Sequence, residues 1–230
     1  MYDKDAALHH LCAADAKLAA LIERVGPPQL KPRLEHSIFY ALLRSIIFQQ
    51  LAGKAAAAIL ARVEALFAPS EVPAKRAARR SNAKVLPIAR FGSKRHRHVT
   101  PEAILAATDE QLRSAGLSRN KALALRDLAA KTLDGTVPTP AQARRLTDEQ
   151  LIERLIAVRG VGRWTVEMLL IFRLGRPDVL PLDDYGVRKG FQRTFRTREL
   201  PTKKQLLRRG ERWRPYRSLA SWYLWRAVEP

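Results

Sequence analysis

Apolar residues recur at helical spacing along most of the chain, and stop signals divide this pattern into separate helices. Residues 5–25 predict a first helix, which ends at Gly26 and the two prolines that follow it. A strongly apolar run over residues 36–50 predicts a second helix, and a break at residues 51–53 separates it from a third over residues 54–67. No segment shows the alternation expected of a half-buried strand, so the predicted fold class is all-α.

Helix-start signals are clear in the second half of the chain. Thr100 precedes a proline and a glutamate, which are typical of a first helical turn. Thr108 begins a helix that ends at Gly116, and another helix covers residues 121–133. A threonine and a glutamine at capping-box spacing begin the next predicted helix, over residues 147–158.

The charge balance indicates what kind of partner the protein binds. The 230 residues include 42 Lys and Arg but only 22 Asp and Glu, which gives a net charge of +20. A surplus of this size favours a polyanion such as nucleic acid, because each contacted phosphate releases counterions. A basic surface without a partner is the alternative. The apolar fraction of 47% is enough to bury a core.

One segment concentrates the positive charge. Residues 72–99 contain no acid and nine of the lysines and arginines: Lys75, Arg76, Arg79, Arg80, Lys84, Arg90, Lys94, Arg95 and Arg97. Such a block is typical of a solvated loop or arm, and either phosphate contact or a plain linker would explain it. His96 and His98 have no neighbouring Cys, Asp or Glu, so no metal site is expected there.

The cysteine count and the lack of long apolar runs exclude several classes of protein. The single cysteine, Cys12, cannot form an internal disulfide, a four-thiolate iron–sulfur site or a structural zinc site. The first five residues include two acids and no apolar run, unlike a secretory signal. No stretch approaches the ~20 apolar residues of a membrane span. We therefore expect a cytoplasmic protein without membrane contact, associated with the nucleoid if the source is bacterial.

A glycine-containing turn over residues 155–166 is the most informative segment. A helix is predicted to end at Val158, glycines follow at positions 160 and 162, and a new helix begins near Arg163. Glycines let the backbone approach a ligand closely, and the free N–H groups of a helix N-terminus bind anions such as phosphate. Taken alone, this pattern is also compatible with an ordinary helix–helix turn.

The sequence after this turn carries a family resemblance. Residues 180–185, Leu-Pro-Leu-Asp-Asp-Tyr, follow the hairpin, and Asp184 lies twenty residues after Trp164. With the segments at 116–122 and 211–218, this arrangement resembles the helix-hairpin-helix DNA glycosylases, and most closely the 3-methyladenine DNA glycosylase II family. The resemblance covers most of residues 36–228. Better-known bacterial members carry an additional N-terminal β domain that this chain is too short to hold, and the basic segment is similar to an insertion.

The resemblance implies a two-lobed fold and an activity. One helical-bundle lobe would span residues 39–176 and end in the hairpin, and the second would combine residues 1–38 with residues 177–230. Asp184 would lie in the cleft between them. A monomer would hydrolyse the N-glycosidic bond of alkylated purines such as 3-methyladenine and 7-methylguanine in damaged duplex DNA and leave an abasic site. No cofactor and no catalytic metal would be required.

The resemblance also assigns the residues of the active site. Asp184 would be the catalytic carboxylate, because cleavage generates positive charge on the sugar. Its neighbour Asp183 is expected to cap the following helix. The base pocket would be lined by aromatic faces, which attract an electron-poor base, and by a methionine in place of an aromatic residue of some relatives: Trp164, Tyr185, Trp225 and Met168.

The DNA contacts follow from the same resemblance. Leu51 would fill the gap left by the flipped base, with Gln50 beside it; an ordinary helix-ending leucine is the alternative. The hairpin would bind phosphate through Gly160, Gly162, Trp164 and Thr165. The backbone carbonyls of Ile156, Val158 and Val161 would hold Na⁺ or K⁺.

Position 164 also indicates the type of reaction. Relatives that cleave the DNA backbone place a lysine there, whose amine forms a Schiff base with the sugar. Trp164 therefore predicts hydrolysis without lyase activity. Two rival hypotheses remain: a glycosylase for oxidised, deaminated or mismatched bases, and a non-catalytic helix-hairpin-helix DNA-binding protein.

Overall fold

The computed structural model describes residues 3–32, 37–68 and 98–229. These residues form thirteen α-helices and no strand, so the all-α prediction is confirmed. The helices are α1 (Lys4–Ala14), α2 (Ala16–Val25), α3 (Ile38–Phe48), α4 (Gly53–Leu66), α5 (Pro101–Ala106), α6 (Asp109–Ser114), α7 (Arg119–Leu133), α8 (Pro140–Ala143), α9 (Asp148–Leu155), α10 (Arg163–Leu169), α11 (Tyr185–Phe195), α12 (Lys203–Gly210) and α13 (Arg217–Arg226). A π-helical segment (Leu170–Leu174) extends α10, and a 3₁₀ turn (Glu211–Trp213) follows α12.

The single helix predicted over residues 5–25 is wrong. Asp15 has an extended backbone and separates α1 from α2. Its carboxylate accepts the backbone N–H groups of Lys17 and Leu18 at 3.2 and 3.4 Å, so it caps α2. An aspartate satisfies the free N–H groups of a helix start better than it fits a helix interior, and the chain therefore turns at this residue.

The helices pack in two groups. In the first, α3 packs against α4, α7 and α10, while α5 packs against α7 and α9 against α10. In the second, α11 packs against α13, both contact α2, and α1 contacts the 3₁₀ turn. The helices at the start of the chain therefore pack with those at its end. The loop between the π-helical segment and α11 ends with Asp184, which accepts a hydrogen bond from Trp164 near the start of α10.

A close approach of α11 and α13 positions the residues of the second group. At Gly190 a Cβ atom would lie 1.9 Å from the carbonyl oxygen of Leu224, so only glycine permits this approach. Helix α13 is well buried in the second group, with Leu219, Tyr223 and Leu224 fully buried, and the hydroxyl of Tyr223 donates to the Gly26 carbonyl at the end of α2 at 3.0 Å. This packing fixes where Trp225 lies relative to the start of α11.

The structure does not cover most of the basic segment, and it bears on the prediction that the chain has no membrane span. The basic segment predicted over residues 72–99 lies, up to Arg97, outside the described residues. Within the described ranges, no helix combines the length and the apolar character needed to cross a membrane.

Candidate active site

Asp184 is held by three hydrogen-bond donors at the start of α11. The carboxylate is the N-cap of α11, where Oδ1 accepts the backbone N–H of Val187 at 2.7 Å. The indole N–H of Trp225 donates to Oδ1 at 2.8 Å, and that of Trp164 donates to Oδ2 at 2.6 Å. The residue is only 7% exposed. Two aromatic side chains from different helices therefore orient one buried carboxylate.

The prediction that Asp183 caps the following helix is wrong. Asp184 provides the cap, and the exposed Asp183 pairs with Lys203, whose Nζ lies 2.5 Å from Oδ1. Asp184 has the extended backbone typical of an N-cap (φ −71°, ψ 120°), which turns its carboxylate towards the first N–H groups of α11. The same turn directs the carboxylate of Asp184 towards the tryptophans and that of Asp183 towards α12.

The predicted aromatic residues differ in exposure. Trp164 is 49% exposed and Tyr185 is 67% exposed, so both present ring surface to solvent. Trp225 is half-buried, and Met168 lies partly buried one turn after Trp164. The structure brings Trp164 and Trp225 together at Asp184, and Tyr185 follows that aspartate as the first residue of α11.

Sequence reasoning missed two residues of this site. The ring of Phe172 packs against that of Trp225, with centroids 5.4 Å apart and planes tilted by 31°. Phe172 follows Trp164 and Met168 at successive intervals of four residues, a spacing that places side chains along one face of a helix. That spacing was the available signal. The second missed residue, Gly186, had none, because its role depends on a contact with α13.

The hairpin occupies residues 156–162 between α9 and α10. Helix α9 ends at Leu155, three residues before the predicted end, because residues 156–160 form the turn. Gly160 has a left-handed backbone (φ +78°) that favours glycine, and Gly162 is the N-cap of α10. Thr165 is only 7% exposed. The buried Thr165 is therefore less accessible to a phosphate than the exposed Gly160 and Gly162.

The backbone of the hairpin has carbonyl oxygens that suit a cation. The Val158 carbonyl accepts the N–H of Val161 at 3.0 Å, which leaves its second lone pair for another partner. The side chains of Val158 and Val161 are buried, and that of Ile156 is exposed. Oxygen ligands of this kind fit a hard monovalent cation. The described residues contain no group of three or more His, Cys, Asp or Glu that could hold a metal ion.

The predicted wedge lies in the turn between α3 and α4. Gln50 is exposed and adopts a left-handed backbone conformation (φ +57°), which is uncommon for a residue other than glycine. Leu51 is 39% exposed. The side-chain amide of Gln49 donates to the carbonyl of Gly160 at 2.8 Å, so the wedge turn and the hairpin are in direct contact.

A buried acid lies one turn beyond Trp164 on α10. Burial raises the pKa of Glu167 to about 7, although the nearby Arg163 guanidinium opposes this effect. Arg163 Nε lies 3.2 Å from Glu167, and its Nη2 lies 2.8 Å from the exposed Glu149. Arg163 and Glu167 lie one turn apart on α10, and Arg163 directly precedes the exposed Trp164 in the sequence.

Comparison with known proteins gives a family for this arrangement. A family model described as "HhH-GPD superfamily base excision DNA repair protein" matches residues 43–215. The matched range includes the wedge turn, the hairpin and Asp184. Helices α4 to α12 lie within the matched range, whereas α1, α2 and α13, which carries Trp225, lie outside it.

Relatives extend the match to nearly the whole chain. DNA-3-methyladenine glycosylase 1 of Schizosaccharomyces pombe is 36% identical over 218 residues, which are 94% of this chain and 84% of the relative. A solved structure of the 3-methyladenine DNA glycosylase of that organism in complex with abasic DNA has a TM-score of 0.71 and 36% identity, and covers 96% of this chain and 95% of its own. DNA-3-methyladenine glycosidase from Bacillus halodurans has a TM-score of 0.77 at 32% identity, with 96% and 88% covered.

Proposed function

Because the chain belongs to the HhH-GPD superfamily of base excision DNA repair proteins, we propose that it hydrolyses the N-glycosidic bond of alkylated purines in duplex DNA and leaves an abasic site. The observation that carries this proposal is the buried Asp184 carboxylate between two indole N–H groups. The relatives named for 3-methyladenine support the choice of substrate. Cationic purines such as 3-methyladenine and 7-methylguanine are the bases that such a site would release.

Asp184 acts on charge that develops in the sugar. Breaking the bond to the base leaves positive charge on the sugar, as in glycoside hydrolysis, and a fixed carboxylate stabilises that charge. A carboxylate offers about four lone-pair positions, and three of them are occupied by Trp164, Trp225 and the Val187 N–H. The remaining position faces the sugar or an attacking water. The carboxylate therefore needs no reorganisation when the bond breaks.

Base selection comes from aromatic surface near this carboxylate. An alkylated purine carries positive charge and is already a good leaving group, so the site needs no general acid. The exposed rings of Trp164 and Tyr185 attract such a base through stacking and cation–π forces of about 0.5–2 kcal/mol. Phe172 packs against the ring of Trp225, whose N–H donates to Asp184. This packing restricts the orientation of the indole.

The proposal includes hydrolysis without backbone cleavage. An indole cannot form the Schiff base through which an amine attacks the sugar, and Trp164 occupies the position where lyase members have lysine. Lys189, the next lysine after Asp184, donates to Gln192 at 2.7 Å. Borohydride reduction during turnover is expected to trap no covalent protein–DNA adduct, and a trapped adduct would contradict this part of the proposal.

We propose that the enzyme acts as a monomer, because the wedge turn, the hairpin and Asp184 all lie in one chain. Leu51 fills the gap left by the extruded base, with Gln50 beside it, and the hairpin glycines admit the phosphate backbone. The carbonyls of Ile156, Val158 and Val161 would hold Na⁺ or K⁺, which supplies positive charge next to that phosphate. Exchange of both ions for a bulky organic cation should then weaken DNA binding while Asp184 chemistry is unchanged.

The decisive experiment is release of free bases from methylated duplex DNA under single-turnover conditions. The wild type should release 3-methyladenine and 7-methylguanine, and Asp184→Asn should lose about 10²–10³-fold in rate while it still binds DNA. Asparagine also caps a helix, so the variant should remain folded. Asp183→Asn is the matched control, because it removes the neighbouring carboxylate and only an exposed ion pair.

Each outcome points to a different conclusion. If the wild type binds DNA but releases no methylated base, the substrate class is wrong, and oxidised, deaminated and mismatched bases become the next substrates to test. If Asp183→Asn and Asp184→Asn lose the same activity, Asp184 has no special role. Wild type and Asp184→Asn that bind equally and release no base of any kind would indicate a non-catalytic DNA-binding protein.

A further inference from the structure

Helix α7 contacts both the wedge turn and the hairpin. Four of its residues, at positions 121, 124, 127 and 131, lie along one side of the helix because they follow each other at intervals of three or four. The first reaches the end of α3, and the other three reach the hairpin. A single rigid helix therefore carries the supports of the two segments that would contact DNA.

At the wedge end, Lys121 holds two carbonyl groups. Its Nζ donates to the carbonyl of Ile47 at 2.6 Å and to that of Gln49 at 3.0 Å. The last carbonyls of a helix have no partner within the helix, and an ammonium also interacts favourably with the helix dipole there. Desolvation lowers the pKa of Lys121. The next residue, Gln50, has the left-handed backbone that turns the chain towards Leu51.

At the hairpin end, three further contacts fix the turn. Asp127 Oδ2 accepts the backbone N–H of Arg159 at 2.7 Å, and Lys131 Nζ donates to the carbonyl of Ala157 at 2.6 Å. Ala124 packs beneath Gly160, where an added Cβ would lie 3.5 Å from the alanine Cβ. The hydrogen bond from Gln49 to Gly160 then joins the two segments directly.

We propose that Lys121 is a positioning residue for base extrusion: it fixes the wedge turn at a set distance from the hairpin, so that Leu51 enters the base stack next to the phosphates that the hairpin holds. The inference rests on the proposed function and adds a residue that touches neither the DNA nor the damaged base. Two carbonyls held by one ammonium support the strained turn at Gln50. Release of these carbonyls would let the turn relax and would move Leu51.

A purely structural role for Lys121 is the competing explanation, and α7 provides a matched control for it. Arg126 also donates to two carbonyls at the end of a helix, those of Leu105 at 3.2 Å and Ala107 at 2.7 Å. It supports the junction of α5 and α6, not the wedge turn. Arg126 also pairs with the exposed Asp109 at 2.8 Å, so Arg126→Met removes at least as many contacts from α7 as Lys121→Met, and only the second variant disturbs the wedge.

The excision test compares two substrates that differ in the cost of extrusion. 7-Methylguanine opposite cytosine is paired, whereas 7-methylguanine opposite thymine is mispaired and cheaper to extrude. Lys121→Met should slow single-turnover release from the paired substrate by at least about tenfold and from the mispaired substrate by much less. Lys121→Arg, which can still donate to both carbonyls, should recover most of the loss. Arg126→Met should affect both substrates equally.

Wedge insertion can also be measured without any chemistry. The probe is duplex DNA with 2-aminopurine opposite a tetrahydrofuran abasic analogue, whose fluorescence increases when the adjacent stack is opened. At saturating protein, Lys121→Met should give a smaller increase than the wild type or Arg126→Met, with Leu51→Ala setting the lower limit. This readout keeps the inference testable even if the wild type releases no methylated base, which would count against the proposed function.

Two results would overturn the inference. One is a wild-type fluorescence increase for Lys121→Met. The other is an equal loss of rate on paired and mispaired substrates that Arg126→Met reproduces, because such a loss would reflect destabilisation of α7 and not misplacement of the wedge.

Discussion

Gly186 leaves the space in which the indole of Trp225 meets Asp184. A Cβ atom at position 186 would lie 2.7 Å from Trp225 Cδ1 and 3.1 Å from both Trp225 Nε1 and Asp184 Oδ1. The glycine follows Asp184 by two residues, in the first turn of α11. The hydrogen bond between Trp225 and Asp184 therefore depends on the absence of a side chain at this position.

Gly186→Ala should impair catalysis more than stability. The new methyl group would displace the indole of Trp225, and the carboxylate of Asp184 would lose one of its three donors. We expect a loss of about tenfold or more in single-turnover rate with unchanged DNA affinity. Gly210→Ala is the control, because its Cβ would lie 2.4 Å from Leu180 Cδ2, away from the carboxylate. Equal loss of rate in the two variants would show that general destabilisation causes it.

Trp164→Phe should separate hydrogen bonding from stacking at the exposed side of the site. Phenylalanine keeps an aromatic face but removes the N–H that donates to Asp184 Oδ2 at 2.6 Å. Loss of one bond to a charged group corresponds to about 1.5–3 kcal/mol, or roughly tenfold or more in rate. Trp164→Leu should lose more, because it removes the stacking surface as well. Equal rates for the two variants would mean that the ring contributes nothing to base binding.

The sequence predicts the helical class and the Asp184 segment because both depend on local signals. Thr108 and Thr147 begin their helices as predicted, and the capping box predicted at Thr147 is present. The sequence does not mark Asp15 as a helix boundary, because one aspartate in an alanine-rich run is equally typical of an exposed helix surface. Its role depends on Arg209, which lies 194 residues further along the chain.

The residues of the site also divide into those with a signal in the sequence and those whose role depends on helix packing. The family resemblance assigns Asp184 as the carboxylate, but which of two adjacent aspartates caps α11 depends on the backbone turn and on Lys203. Gly186 and Lys121 act on residues from other helices, Trp225 in one case and the end of α3 in the other. Such contacts arise only once the helices have packed, so no local pattern in the sequence reveals them.

Glu167 should make the protein less stable as the pH rises. Its pKa is raised to about 7 in the folded protein, from 4.5 for an ordinary glutamate, so the folded state holds this proton more tightly than the unfolded state. Stability from this group is therefore present below pH 4.5 and is lost as the pH rises to about 7, by up to about 3 kcal/mol. Urea unfolding at several pH values measures this loss.

Glu167→Gln should remove most of that dependence, because the amide stays neutral. Glu149→Gln is the control: Glu149 is exposed and pairs with the same Arg163, and its loss should leave the pH profile nearly unchanged. If Glu167→Gln follows the wild-type profile, the buried carboxyl is not the group responsible.

Asp15 should contribute stability with the opposite dependence on pH. Its side chain is fully buried, and Arg209 donates to its two oxygens at 2.7 and 2.8 Å, while Trp213 donates at 3.3 Å. Burial alone would raise the pKa of Asp15, but the hydrogen bonds and charge of Arg209 outweigh burial and lower the pKa below 3.8. Its stabilising contribution is therefore present above pH 3.8 and is lost as the pH falls through the lowered pKa.

Asp15→Asn should destabilise the protein by about 2–3 kcal/mol at pH 7, because the amide still caps α2 but cannot pair with Arg209. Asp3→Asn is the matched control, since Asp3 caps α1 in the same way but is exposed, and it should cost only a few tenths of a kcal/mol. The difference between wild type and Asp15→Asn in urea unfolding should shrink as the pH falls below 3.8, because the unfolded state then takes up a proton that the folded Asp15 resists. A difference that stays constant from pH 7 to pH 3 would mean that packing around Asp15, and not its charge, joins α1 and α2 to the end of the chain.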